Sequence, residues 1–294
     1  RSVVDFFRPL HRTIATKRTR RTAMNNEQEI KEMVKEKYGA IARQSKEQNQ
    51  SSCCGSTCGC SDVDFSIMAE DYKTLPGYVP DADLALGCGL PTEFAQIKPG
   101  DTVVDLGAGA GNDCFIARSI VGDQGRVIGL DMTEAMIEKA RANATKLGFT
   151  NVEFRLGDID HMPIEDHTAD VVVSNCVMNL VPDKKKAFAE TFRILKPGGH
   201  FSISDIVLQG ELSDELKKEA VLYAGCISGA VQKKEYLDII RGAGFTNISV
   251  QKDRKVEIPN EILIHYMTLE QLREFKSNHV GIFSVTVYAD RPKA

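Results

Sequence analysis

An α/β fold built on a doubly wound, mostly parallel sheet is what this sequence predicts, and three observations predict it. Five short apolar runs follow one another between residues 102 and 207: TVVDLG, RVIGLD, VEFRLG, ADVVVSNCV and HFSISDIV. Segments with helical spacing are interleaved with them, namely NDCFIARSIVG, TEAMIEKARANATKLG and KKKAFAETFRIL. A glycine-rich turn, VVDLGAGAGND, follows the first run directly. Strands alternating with helices bury both faces of a parallel sheet, and ligands bind such sheets at the carboxyl ends of their strands.

The composition narrows the function classes. A chain of 294 residues suffices for one large domain. Apolar residues at 42% and charged residues at 27% form an ordinary globular balance. A formal charge of -4 offers no basic face for nucleic acid. No run approaches the roughly 18 apolar residues of a membrane span. Eight cysteines are too sparse for a secreted disulfide scaffold, so they are expected as reduced, reactive thiols in a cytoplasmic protein. Neither a nucleic-acid nor a membrane partner is expected.

Taken in order, residues 1–23 carry seven Arg or Lys against one acid, Asp5. They read as a basic leader or an upstream remnant ahead of Met24, outside the fold. Residues 24–80 form a lead-in. In EIKEMVKEKYGAIARQ the apolar Ile30, Met33, Val34, Tyr38 and Ile41 predict an amphipathic helix. The polar stretch SSCCGSTCGC then brings Cys53, Cys54, Cys58 and Cys60 together in a spacing unlike the usual zinc patterns. No permanent metal is expected. Residues 81–210 hold the five strands. Residues 211–294 supply ELSDELKKEAVLYAG and KKEYLDIIRGAG as helices, and NISVQKD and IFSVTVYADR as two last strands of the same sheet.

Gly107, Gly109 and Gly111 permit a tight turn and a close approach of backbone to ligand. Asp105 precedes them in the first strand. Asp131 ends the second strand beside Met132, placed to accept hydrogen bonds from ribose hydroxyls. Asp158 and Ile159 end the third and border the place of an adenine. The alternative of an NAD-binding domain uses a similar glycine turn. DLGAGAG, Asp131, the GDI segment and the LKPGG turn before the fifth strand together resemble the class I methyltransferases. That resemblance implies S-adenosylmethionine as cofactor and a Rossmann-like seven-stranded sheet whose final strand is antiparallel, with a helical N-terminal lead-in and C-terminal cap elements.

The fourth strand ends in Ser174, Asn175, Cys176 and Asn179, with Asn175 a candidate cofactor contact. Cys88 lies in the glycine-flanked ALGCGLP and Cys226 in LYAGCISGA. Each cysteine taken singly is as well explained by burial, because cysteine packs as a small hydrophobe. Cys114, within its helix, is read as packing, and His161, His167 and His265 as non-catalytic. ALGCG, GLDMTEAMIEKA, VVVSNCVMNLVPDK, ISDIV and YAGCISGA resemble the arsenite methyltransferase family over residues 84 to about 245. The resemblance implies that Cys88, Cys176 and Cys226 bind trivalent arsenic, as arsenite or methylarsenite, and serve the reaction as its catalytic thiols. Soft thiolates select such a centre over oxygen ligands. It further implies arsenic detoxification by a monomer, with glutathione or thioredoxin as thiol reductant. Cys53 and Cys54 are expected as auxiliary thiols. Two other readings are a methyltransferase acting on carbon or oxygen of a small organic acceptor such as a quinone, and a non-catalytic arsenic- or metal-binding module.

Overall fold

The apolar runs become strands whose side chains are buried on both faces, the pattern of a sheet covered by helices on each side. In the computed structural model these are β1 (Thr102–Leu106), β2 (Arg126–Asp131), β3 (Val152–Leu156), β4 (Ala169–Asn175) and β5 (Leu195–Gln209). Two further strands, β6 (Thr246–Lys255) and β7 (Gly281–Asp290), complete the sheet. The structure describes residues 27–44, 72–84, 86–211, 229–257, 260–264, 270, 272, 273, 276 and 280–293.

Strand order is β3-β2-β1-β4-β5-β7-β6. β1 pairs parallel with β2 and β4, β2 with β3, and β4 with β5. β7 enters antiparallel between β5 and β6. The chain therefore winds outward in both directions from β1, which opens a crevice at the carboxyl ends of β1 and β4.

The helices are α1 (27–42), α2 (Pro91–Phe94), α3 (Asn112–Val121), α4 (Glu134–Leu147), α5 (Lys184–Ile194) and α6 (Lys233–Gly242). Asp183 caps α5 by accepting the Lys186 amide at 3.1 Å. One face of the sheet buries Phe188, Phe201, Tyr236 and Phe245, with the Phe188 and Tyr236 rings edge-to-face at 5.6 Å. The other buries Phe115, Met136 and Phe154.

Several expectations change. LKPGG is not a turn ahead of β5 but its first residues. Pairing with β4 jumps from Ala169–Leu195 to Val171–His200, so the bulge absorbs the glycines inside the strand. Met33, assigned to the buried stripe of α1, is 64% exposed, because Lys31, Val34 and Tyr38 make the face that meets the crevice. The helix expected over 211–225 and His265 lie outside the described residues, apart from Glu211, as do residues 1–23 and the cysteine cluster at 53–60. β5 also outlasts β4: Asn175 pairs with Ser204, and Asp205–Gln209 continue against β7. That step leaves room above the end of β4, where Cys176 sits. Among the described residues no helix is long and apolar enough to cross a membrane.

Candidate functional site

β1 runs into Gly107 at φ +74°, a left-handed conformation that side chains other than glycine adopt with strain. A Cβ there would lie 2.4 Å from Val177 Cγ2, so the turn is packed directly against the residue after Cys176. The amides of Gly107 and Ala108 donate to the Leu130 carbonyl at 2.7 and 2.9 Å. The Asn143 amide group braces the turn from α4 by donating to the Ala110 carbonyl at 3.1 Å. Asp131 is held by the Gly109 amide on Oδ2 at 3.0 Å and the Thr133 amide on Oδ1 at 2.8 Å. Burial pushes its carboxyl above the usual range, and these amides oppose that shift. Each oxygen keeps a lone pair that a ribose hydroxyl can use.

The crevice encloses about 1090 Å³, part of it open to solvent. Gly107, Gly109, Asp105, Met132, Ile159 and Asn175, each singled out in the sequence, all line it. Gly111 instead packs under the turn, where a Cβ would meet the Phe115 ring at 2.8 Å. Its charge discriminates between ligands. Asp83, Asp105, Asp113, Asp131, Asp158 and Asp160 line it against one lysine, Lys31. Lys31 is itself paired with Asp160 at 2.9 Å and Asp158 at 3.8 Å, which ties α1 over the crevice. Such a field disfavours the pyrophosphate of a dinucleotide and suits a cationic nucleoside.

The Cys88 loop packs against Asn175 and Ser204 at the end of β4, which Cys176 follows. Cys176 follows the strand at φ +62°, and its amide donates to the Ser204 carbonyl at 2.8 Å. The Cys88 amide donates to Asn175 Oδ1 at 3.0 Å, and Asn175 Nδ2 donates to the Gly89 carbonyl at 2.8 Å. The Ser284 hydroxyl donates to the Cys88 carbonyl at 2.5 Å. A Cβ on Gly87 would lie 2.6 Å from Asn175 Nδ2, and one on Gly89 would lie 2.6 Å from Ser204 Oγ. The Gly-Cys-Gly sequence is thus what lets the Cys88 loop pack against Asn175 and Ser204. Both thiols are buried, at 0% and 2% exposure. Cys226 lies outside the described residues.

Three buried carboxyls surround this centre. Asp105 accepts the Cys114 thiol at 3.2 Å, so Cys114 does more than pack. Burial and the neighbouring Asp113 raise the Asp105 carboxyl well above its ordinary value. Burial pushes Asp113 up to about 6, against hydrogen bonds from Tyr72 and Asn175. Asp205 is pushed up to about 7, chiefly by burial, although the Ile206 amide and Lys184 oppose the shift. The Tyr236 hydroxyl donates to Asp205 Oδ2 at 3.2 Å. Burial and Asp205 raise the Tyr236 phenol well above its ordinary value.

Asp205 yields a pH prediction. Its folded value is raised, so its contribution to stability is fully present below the unfolded value near 3.8 and is lost as pH rises to about 7. Asp205→Asn removes the buried charge while Tyr236 can turn to accept from the new amide. The variant should gain stability over the parent between pH 4 and pH 7, approaching about 4 kcal/mol at most by linkage. Urea unfolding at pH 5 and pH 8 checks this. An equal difference at both values contradicts it.

His161 and His167 are exposed and do not line the crevice. Sequence reasoning missed Tyr72, Asp113 and Lys31. Asp113 stands in the first turn of α3 and Lys31 on the crevice face of α1, and both signals were present in the helical pattern. Nothing local marked Tyr72.

The comparisons with known proteins agree with this geometry. A family described as "Methyltransferase domain" matches residues 97–244. An arsenite methyltransferase of Halobacterium salinarum is 41% identical over 78% of this chain and 61% of its own length. One from Aquipseudomonas alcaligenes is 36% identical over 79% of this chain and 66% of its own. The chain thus spans a little under two thirds of these curated relatives. Among solved structures, an arsenic(III) S-adenosylmethionine methyltransferase from Chlamydomonas reinhardtii superposes with a TM-score of 0.56 at 31% identity, over 71% of this chain and 68% of that one. The chain therefore belongs to the methyltransferase-domain family and, within it, to the arsenite methyltransferase family.

Proposed function

We propose that this chain transfers a methyl group from S-adenosylmethionine to trivalent arsenic held by the thiolates of Cys88, Cys176 and Cys226. The observation that carries the reading is that Cys176 lines an acidic crevice directly after Asn175, whose side-chain oxygen accepts the Cys88 amide at 3.0 Å. The crevice fits the cofactor on its own chemistry: Asp131 suits ribose hydroxyls, Asp158 and Ile159 border the adenine place, and the surplus of carboxylates suits a cation. Bound there, S-adenosylmethionine supplies an electrophilic sulfonium methyl.

Arsenite exchanges its hydroxyl groups for the three thiols: each thiol proton leaves with a hydroxyl as water, and the sulfur stays on arsenic as a thiolate. Three sulfurs leave the arsenic lone pair directed away from them. That lone pair forms the arsenic–carbon bond as the carbon–sulfonium bond breaks, its electrons returning to sulfur. No general base is needed for the transfer. The protein contributes positioning and exclusion of water, and proximity of this kind is worth roughly 7–11 kcal/mol of barrier. Cys226 is carried from the family resemblance.

Cys53 and Cys54 act as auxiliary thiols that capture arsenite or exchange disulfides with the core, and a thiol such as glutathione or thioredoxin restores the reduced state. Every residue invoked lies on one chain, so a monomer suffices. Changing Cys53, Cys54, Cys58 and Cys60 together to serine should slow turnover at low arsenite without abolishing it. Complete loss in that variant would show that the substrate site had been misplaced.

The test of the function itself is the formation of S-adenosylhomocysteine by the purified chain with arsenite and, separately, with a demethylated quinol. Product with arsenite alone supports the reading. Product with the quinol alone would transfer the activity to a carbon or oxygen acceptor.

A further inference from the structure

Asp113 lines the crevice at the start of α3, is 8% exposed, and its Oδ1 has no hydrogen-bond partner. Its Oδ2 accepts from the Tyr72 hydroxyl at 3.0 Å and from Asn175 Nδ2 at 3.3 Å. The Tyr72 hydroxyl also reaches the Gly89 carbonyl at 3.1 Å, and Asn175 Nδ2 reaches that carbonyl and the Tyr72 oxygen. Asn175 Oδ1 holds the Cys88 amide. A continuous chain of contacts therefore joins a crevice carboxylate to the peptide groups on either side of the Cys88–Gly89 bond.

The chain is short of protons. Tyr72 has one to offer, and Asp113 and the Gly89 carbonyl compete for it. Asn175 Nδ2 has two and faces three acceptors, while Asp113 Oδ1 has only the otherwise unpartnered Thr92 hydroxyl beside it and no donor in hydrogen-bond geometry. A buried carboxylate takes the Tyr72 proton in preference to a neutral carbonyl, because charge-assisted bonds are the stronger. An ammonium group arriving at Asp113 would supply the missing donors and offset the charge. The Tyr72 proton could then turn to the Gly89 carbonyl and tighten the hold on the Cys88 loop.

We propose that Asp113, Tyr72 and Asn175 form a positioning relay that senses the ammonium group of the bound cofactor's amino-acid end and locks Cys88 beside Cys176. This rests on the cofactor half of the proposed function and not on arsenic. The relay makes the site assemble in order, with the thiol loop fixed once the methyl donor is in place. The coupling is a free energy between two sites and so acts in both directions.

The experiment measures alkylation of Cys88 by iodoacetamide in the full chain, read peptide by peptide by mass spectrometry. Because Cys88 is fully buried, its rate reports opening of the loop. Three conditions are compared: no nucleoside, saturating S-adenosylhomocysteine, and saturating 5′-methylthioadenosine, which lacks the amino-acid end. S-adenosylhomocysteine should slow alkylation about tenfold, within the usual range of allosteric coupling, and methylthioadenosine less than about twofold. In Tyr72→Phe and in Asp113→Asn the protection by S-adenosylhomocysteine should fall to the methylthioadenosine level, with nucleoside occupancy confirmed by calorimetry. Equal protection by the two nucleosides, or full protection retained in both variants, overturns the relay. A parallel sample with arsenite separates the two claims: if Cys88 behaves as expected but arsenite never protects Cys176, the methyl-acceptor reading fails and the relay stands.

Discussion

Cys176→Ser should abolish arsenite-dependent methyl transfer, lowering it by about a thousandfold or more, while cofactor affinity stays within about twofold. Serine fits the same left-handed position at the end of β4 at no greater strain than cysteine, and its amide can still donate to the Ser204 carbonyl. What changes is the ligand atom. A hydroxyl is a hard donor that stays protonated near neutrality, so it binds trivalent arsenic poorly and leaves the lone pair without its pyramidal support. Cys88→Ser and Cys226→Ser should behave alike. X-ray absorption at the arsenic edge should count three sulfur neighbours in the parent and two in each variant. Full activity in Cys176→Ser would refute the thiol site.

Gly107→Ala is the second large effect. The substitution places a methyl group 2.4 Å from Val177 Cγ2 and 3.0 Å from Val177 Cβ, at φ +74°. Neither the strained backbone nor the stem of a β-branched side chain gives way at little cost. Cofactor affinity should fall about a hundredfold, which corresponds to roughly 3 kcal/mol. Arsenite binding should fall with it, because Val177 carries the push to Cys176. Val177→Ala in the same chain removes the methyl groups that collide and should recover most of the loss. Calorimetric titration of S-adenosylhomocysteine into the single and double variants decides the matter. Parental affinity in Gly107→Ala would show that the turn is not packed as described.

The centre of the sheet was legible because β1, β2 and β4 are buried on both faces and so read as unbroken apolar runs, with the glycine turn marking where β1 ends. Asp131 and Asp158 were legible as well, since a carboxylate at the end of a parallel strand in such a sheet already faces the crevice. LKPGG misled because glycine and proline usually punctuate; here β5 is a long strand and takes them up in a bulge. Asn175 was expected to touch cofactor. It lines the crevice, but its side chain also clamps Cys88, a partner 87 residues away. Contacts of that kind leave no local pattern. Tyr72 reaches Asp113 across 41 residues. Asp205 lies in β5, and its carboxyl is covered by Tyr236 from α6, 31 residues away. Periodicity and strand ends reveal where a ligand binds, whereas the hydrogen bonds that hold its neighbours depend on how distant segments pack.

The most direct measurement is a single turnover. The purified chain would be loaded with one equivalent of arsenite and mixed with S-adenosylmethionine carrying a ¹³C methyl group. The expected result is one labelled methyl on arsenic for each S-adenosylhomocysteine formed. S-adenosylhomocysteine formed without a labelled carbon on arsenic would contradict arsenic as the nucleophile.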